Sequence, residues 1–213
     1  MNTHLGPPSR DFHGGEFALV IALAFGMSIV GSVFEAFSYG GRAIEFADKD
    51  LVWTLAYEAF VGGIIALSLR GRGWKWSDFA IHASRGSTIL GAILAIAVLG
   101  IWYLFEKLFG EVPASVTASL ASIVAVSIFN PFFEELLVLG YVVQAMRKRF
   151  GLVTAMNVSL AIRLLYHLYQ GPLVVIPIAI YGLVATLVYV RMGRLWPVIV
   201  MHAILDFVGL IST

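Results

Sequence analysis

Apolar positions fall along this chain in long runs broken by short polar stretches. Seven runs stand out, at about 16–38, 52–70, 87–107, 115–147, 152–169, 173–191 and 195–211. Most are close to the ~20 residues a helix needs to cross a bilayer, and the fourth is longer. Between the second and third, GRGWKWSDFAIHASRG at 71–86 mixes tryptophans with basic residues, a composition suited to the headgroup level. Gly171 and Pro172 break the helix between the fifth and sixth runs, and Pro197 suits the first turn of the seventh. The pattern predicts an all-α, polytopic integral membrane protein of about seven transmembrane helices. Residues 16–212 then form a single transmembrane domain, and the polar, Gly- and Pro-rich residues 1–15 a disordered cytoplasmic tail. No A-x-A-like cleavage site follows the first run, so it is expected to act as an uncleaved anchor.

Composition strengthens this. The 213 residues are 60% hydrophobic and 13% charged, against about 25% charged in a soluble domain. A net charge of +1 gives no field that recruits nucleic acid, and the absence of cysteine removes disulfides, thiolate nucleophiles and cysteine-ligated metals. Ten of the fourteen Lys and Arg (Arg10, Arg70, Arg72, Lys75, Arg85, Arg147, Lys148, Arg149, Arg191 and Arg194) fall on one side of the seven-span arrangement. That bias predicts a multi-pass protein of the inner or plasma membrane with a cytoplasmic N-terminus.

Against this background the ionisable residues inside the spans stand out, because each costs on the order of 2.5–3.5 kcal/mol on insertion scales. Residues 112–146 carry no charge except Glu134 and Glu135. Adjacent residues lie about 100° apart on a helix, so one carboxylate can face a cavity while the other pairs with a neighbouring helix. Arg163 and His167 share a face of the fifth span, and His202 and Asp206 a face of the seventh. Asp206 can fix the tautomer of His202, and Arg163 calls for an acidic partner, of which the fourth span offers two. Glu58 is deep in the second span with no evident partner. One carboxylate and two histidines on three helices could hold a Zn²⁺ with an open position for water, or activate water directly. The cofactor is thus open between zinc and none, and a metal would be held by Glu134, His167 and His202.

The order and spacing of these residues over 115–210 resemble the CPBP family, the CAAX protease and bacteriocin-processing membrane proteins. Its motifs are EExxxR, FxxxH and HxxxN/D. Glu134-Glu135 begin the first, His167 ends the second, and His202 with Asp206 complete the third. Two positions depart: Leu139 stands where the family has arginine, and Arg163 where it has phenylalanine. The chain loses an arginine on one span and gains one on the next, so Arg163 is expected to pair with a glutamate in its place. The resemblance implies an intramembrane endopeptidase with its site in the bundle core and 115–210 as the catalytic core. Catalytic roles would fall to Glu134, His167, His202 and Asp206, with Glu135 and Arg163 supporting. The water would be activated by Glu134 and His167, and the oxyanion stabilised by His202 and Asp206. The expected partners are the lipid bilayer and a peptide or lipidated protein of CAAX type. The rival readings are a non-catalytic scaffold or immunity-type peptide binder and a proton-coupled transporter.

The depths do not match for upright helices. At ~1.5 Å per residue, Glu134 lies roughly 20 Å from Arg147, His202 roughly 12 Å from Arg194 and His167 roughly 27 Å from Arg149. Tilt, or basic helix ends that project into the cytoplasm, must bring them together.

Overall fold

The computed structural model describes Leu5 and residues 10–38, 44–110, 114–171 and 173–212. Arg42 and Pro172 lie outside the described residues. So do 1–4 and 6–9 of the expected tail. In the described part of that tail Arg10 pairs with Asp78 at 2.5 Å, and the Phe12 ring packs on Phe17 and Phe150.

Among the described residues a helix occupies each of the seven apolar runs: α1 (Gly14–Ser38), α2 (Asp48–Gly71), α3 (Arg85–Phe109), α4 (Leu120–Phe150), α5 (Leu152–Gln170), α6 (Val175–Met192) and α7 (Trp196–Ile211). The first six are long and apolar enough to cross a membrane, and α7 is a shorter apolar helix. The protein is an all-α, polytopic membrane protein. Start and stop signals are local. Ser84 and Ser119 accept hydrogen bonds from the backbone N–H groups of Ser87 and Ser122 at the starts of α3 and α4. Gly193, in the left-handed region at φ 61°, ends α6.

Burial sets α4 apart from the other spans. All residues from 137 to 146 are buried, so the helix is wrapped on every side and needs no polar face. By contrast α1, α2 and α3 turn large side chains such as Phe34, Phe60, Leu67 and Ile96 outward, as lipid-facing helices do. Two features shape α4. Pro131 sits inside it, and Leu136–Tyr141 forms a π-helical turn. A π turn disturbs the regular ladder, and the Ser159 hydroxyl from α5 donates to the Val138 carbonyl within it at 2.7 Å.

Two contacts set the register of the acid-bearing helices. Three-residue strands that the apolar pattern does not announce, β1 (Ile44–Phe46) and β2 (Ala114–Val116), pair in parallel just before α2 and α4. Asp48 at the start of α2 then accepts from both the backbone N–H and the hydroxyl of Ser119, each at 2.9 Å. The two helices therefore leave from one level and run side by side in the same direction. Between α4 and α5 the chain turns back at Gly151, and Ser159 meeting Val138 makes an antiparallel hairpin.

At the end opposite β1 and β2 the basic segments meet. Arg10 pairs with Asp78, Lys148 with Asp11 at 2.7 Å, and Arg194 reaches Ser84 at 3.5 Å. Here the depth mismatch finds its cause. Leu195 packs on Gly140 rather than beside Arg147, and its N–H donates to the Ala80 carbonyl. The last turns of α4 overshoot the start of α7, so His202 and Glu135 lie ~10 Å and ~8 Å from that shared level.

The α3–α7 interface depends on one small residue. A Cβ at Gly91 would lie 2.6 Å from the Pro197 carbonyl oxygen and 2.7 Å from Val200 Cβ, a close approach that only glycine permits. Gly91→Ala is expected to destabilise the protein by about 1–3 kcal/mol, the usual range for an overpacked contact. Gly63→Ala, where a Cβ meets nothing within 4 Å, is the control. Equal melting of the two variants in detergent would refute this account of the interface.

Candidate active site

Glu134 and Glu135 emerge from α4 just before the π turn, between α5 on one side and α7 on the other. Their environments differ as their angular separation requires. Glu135 is fully buried, and among the described residues its carboxylate accepts from helices other than its own. Arg163 Nη2 on α5 donates to its Oε2 at 2.6 Å, while Tyr181 on α6 and His202 Nδ1 on α7 both lie 2.7 Å from Oε1. A carboxylate only accepts, so His202 carries a proton on Nδ1 and donates it. The guanidinium also lies over the Tyr181 ring, 4.9 Å from its centroid. One acid thus ties four helices together.

Glu134 is held more lightly and is partly exposed, at 12% of its side chain. Tyr166 donates to its Oε2 at 2.6 Å and Asn130 Nδ2 to its Oε1 at 3.2 Å. Two further nitrogens stand 4.0 Å from the same Oε2: Arg163 Nη1 and His202 Nε2. Arg163 Nη1 is buried and has no hydrogen-bond partner among the described residues. His202 Nε2 lies 3.3 Å from Asp206 Oδ1, one helical turn along α7.

His167 belongs to the next layer. With Arg163 level with Glu135, the imidazole four residues later lies ~6 Å further along α5. It is half-buried, with Gln170 Nε2 3.4 Å from Nδ1 and the Tyr166 ring 4.5 Å away centroid to centroid. The structure therefore brings Glu134, Glu135, Arg163, His202 and Asp206 into one contact network, and His167 adjoins it through Tyr166 without a hydrogen bond to Glu134. Among the described residues no three His, Asp or Glu side chains are grouped to hold a metal ion. Both oxygens of Glu134 already accept from neutral donors, and His202 Nδ1 is turned to Glu135. This arrangement does not fit a metal held by Glu134, His167 and His202.

Three members of the network carry no charge and were not among the residues singled out from the sequence: Asn130, Tyr166 and Tyr181. Only Asn130 gave a usable signal, since it precedes Glu134 by four positions and so shares its face. Leu139, at the place of the family arginine, is completely buried in the apolar core. The cation it does not supply comes from Arg163.

A search of curated proteins and a search of solved structures each returned no match. Residues 116–208, the segment that carries Glu134, Glu135, Arg163, His167, His202 and Asp206, match the family model described as type II CAAX prenyl endopeptidase Rce1-like, consistent with the CPBP family.

Proposed function

We propose that this protein is an intramembrane endopeptidase that cleaves CAAX-type or other membrane-anchored peptides with Glu134 as the general base. One observation carries the reading. Two nitrogens, Arg163 Nη1 and His202 Nε2, stand 4.0 Å from the same oxygen of Glu134, and the first is a buried donor without a hydrogen-bond partner among the described residues. A gap of that size beside a base and two donors suits one water or a developing oxyanion.

In this reading Glu134 takes a proton from water as the oxygen attacks the scissile carbonyl carbon. The carbonyl oxygen becomes an oxyanion and is met by the N–H groups of His202 and Arg163. Collapse re-forms the carbonyl, breaks the C–N bond and moves the proton from Glu134 to the leaving amine. Glu135 holds Arg163 and His202 in place, and Asp206 steadies His202 from the next turn. His167 contacts the water from the neighbouring layer once the peptide has narrowed the gap, since hydrogen bonds in unliganded sites commonly tighten on binding. The basic segments gathered at one end of the bundle support a cytoplasmic N-terminus.

The experiment is cleavage of a fluorogenic peptide by protein reconstituted in liposomes, with a prenylated CAAX-type peptide and the same peptide lacking the lipid. The expected result is hydrolysis of the lipidated peptide that survives prolonged metal chelation. Binding without hydrolysis would overturn the reading in favour of a peptide-binding scaffold. Loss of activity on chelation that returns with zinc would overturn the metal-free mechanism.

A further inference from the structure

One buried acid remains outside the mechanism above. Glu58 lies midway along α2, is 7% exposed, and sits at a depth where an ionisable side chain is costly unless it serves something. Its Oε1 accepts from Asn130 Nδ2 at 2.6 Å, and the same Nδ2 reaches Glu134 Oε1 at 3.2 Å. An amide nitrogen has two hydrogens, so one Asn130 side chain serves both carboxyl groups, one hydrogen to each. Glu58 Oε2 is buried with no hydrogen-bond partner among the described residues, which makes Asn130 the one hydrogen-bonded link of this carboxyl to the rest of the site there.

The link is held in register. Asp48 meets Ser119 at the start of the α2–α4 pair, and Glu58 meets Asn130 ten and eleven residues later along two parallel helices. A Cβ at Gly62, one turn beyond Glu58, would touch the Phe133 ring at 3.3 Å, so the helices stay close at this level. Tyr166 fixes one oxygen of Glu134, and a single bond leaves the carboxyl free to turn about it. The second bond, from Asn130, defines its plane. Asn130 can supply that bond only while its amide is kept turned towards both acids, and Glu58 is the group that keeps it there.

We infer that Glu58 is a positioning residue for Glu134 and acts through the Asn130 side chain. This rests on the assignment of Glu134 as general base. The test measures kcat and KM in the liposome assay for Glu58→Ala, Glu58→Gln, Asn130→Ala and the Glu58→Ala/Asn130→Ala double variant. Glu58→Ala is expected to lower kcat about ten- to a hundredfold with KM unchanged, the scale of a misplaced catalytic group. Glu58→Gln, which keeps an acceptor oxygen, is expected to recover most of that loss. Asn130→Ala should match Glu58→Ala, and the double variant should lose no more than either, because the two act in series. An undiminished kcat, a loss confined to KM, or additive losses would overturn the inference.

A readout independent of turnover is the side-chain amide NMR signal of Asn130 in protein labelled at asparagine. It is expected to shift in Glu58→Ala and in Glu134→Gln. An unshifted signal in Glu58→Ala overturns the link even in a preparation that hydrolyses nothing. Shifted signals without hydrolysis in the wild type support the link and overturn the assignment of Glu134 instead.

Discussion

Glu134→Gln is expected to lower kcat about 10²- to 10⁴-fold, the range for removing a general base, while the protein folds as before. The glutamine keeps the shape of the side chain and an oxygen to accept from Tyr166, whose bond at 2.6 Å is its principal anchor. It cannot take a proton from water. Initial rates on the lipidated peptide give kcat, and the melting midpoint in detergent reports folding. A variant retaining more than about a tenth of the activity would remove Glu134 from the role of base. Glu135→Gln should behave differently. It weakens bonds to Arg163, Tyr181 and His202 together, so melting falls along with rate. The two neighbouring acids then separate experimentally into one that reacts and one that braces.

Arg163→Ala is expected to cost about 3–5 kcal/mol of stability, the range for breaking a buried ion pair from one side. Arg163 is 1% exposed and Glu135 not at all, so the truncation leaves a fully buried carboxylate without its guanidinium partner. Removing both charges should be far milder, because a neutral pair of similar volume is often tolerated. Arg163→Met with Glu135→Gln is therefore expected to recover most of the loss, as measured by denaturation in detergent. A single variant that costs under about 1 kcal/mol would mean the pair does not hold the hairpin. Exchanging the two charges is a poorer test than it looks from the sequence alone. An arginine at position 135 would face His202 Nδ1 and the Tyr181 hydroxyl, both of which donate to the present glutamate.

The sequence disclosed what has a large energetic signature. Charges inside apolar runs cost enough to need partners, and that alone pointed from Arg163 to the glutamates, one of which, Glu135, it meets at 2.6 Å. Helices long enough to span a bilayer were visible for the same reason. The neutral parts of the site were not. Tyrosine sits comfortably at many depths, so nothing marks Tyr166 and Tyr181 as hydrogen-bond donors to carboxylates until α5 and α6 are packed against α4. Glu58 was conspicuous but lacked a partner, since Asn130 is unremarkable until α2 and α4 are known to run in parallel. The short strands that set this register have three residues each, too few to show an alternation. The depth conflict arose from treating basic residues as depth gauges. They mark where a helix reaches water, whereas packing against Gly140 decides where α7 begins.

The α4–α5 hairpin also bears on how the chain enters its membrane. The glutamate leaves the ribosome first, and its arginine follows 28 residues later. At 5–20 residues per second that is a delay of roughly one to six seconds. During it, the two acids have no counter-ion in the apolar stretch around them, since residues 112–146 hold no basic side chain and the first basic residues come only at the helix end, from Arg147 on. The partner arrives on the very next helix, across a turn of one glycine. The two segments are thus suited to partition into lipid as a pair, with the charge already cancelled, rather than one after the other.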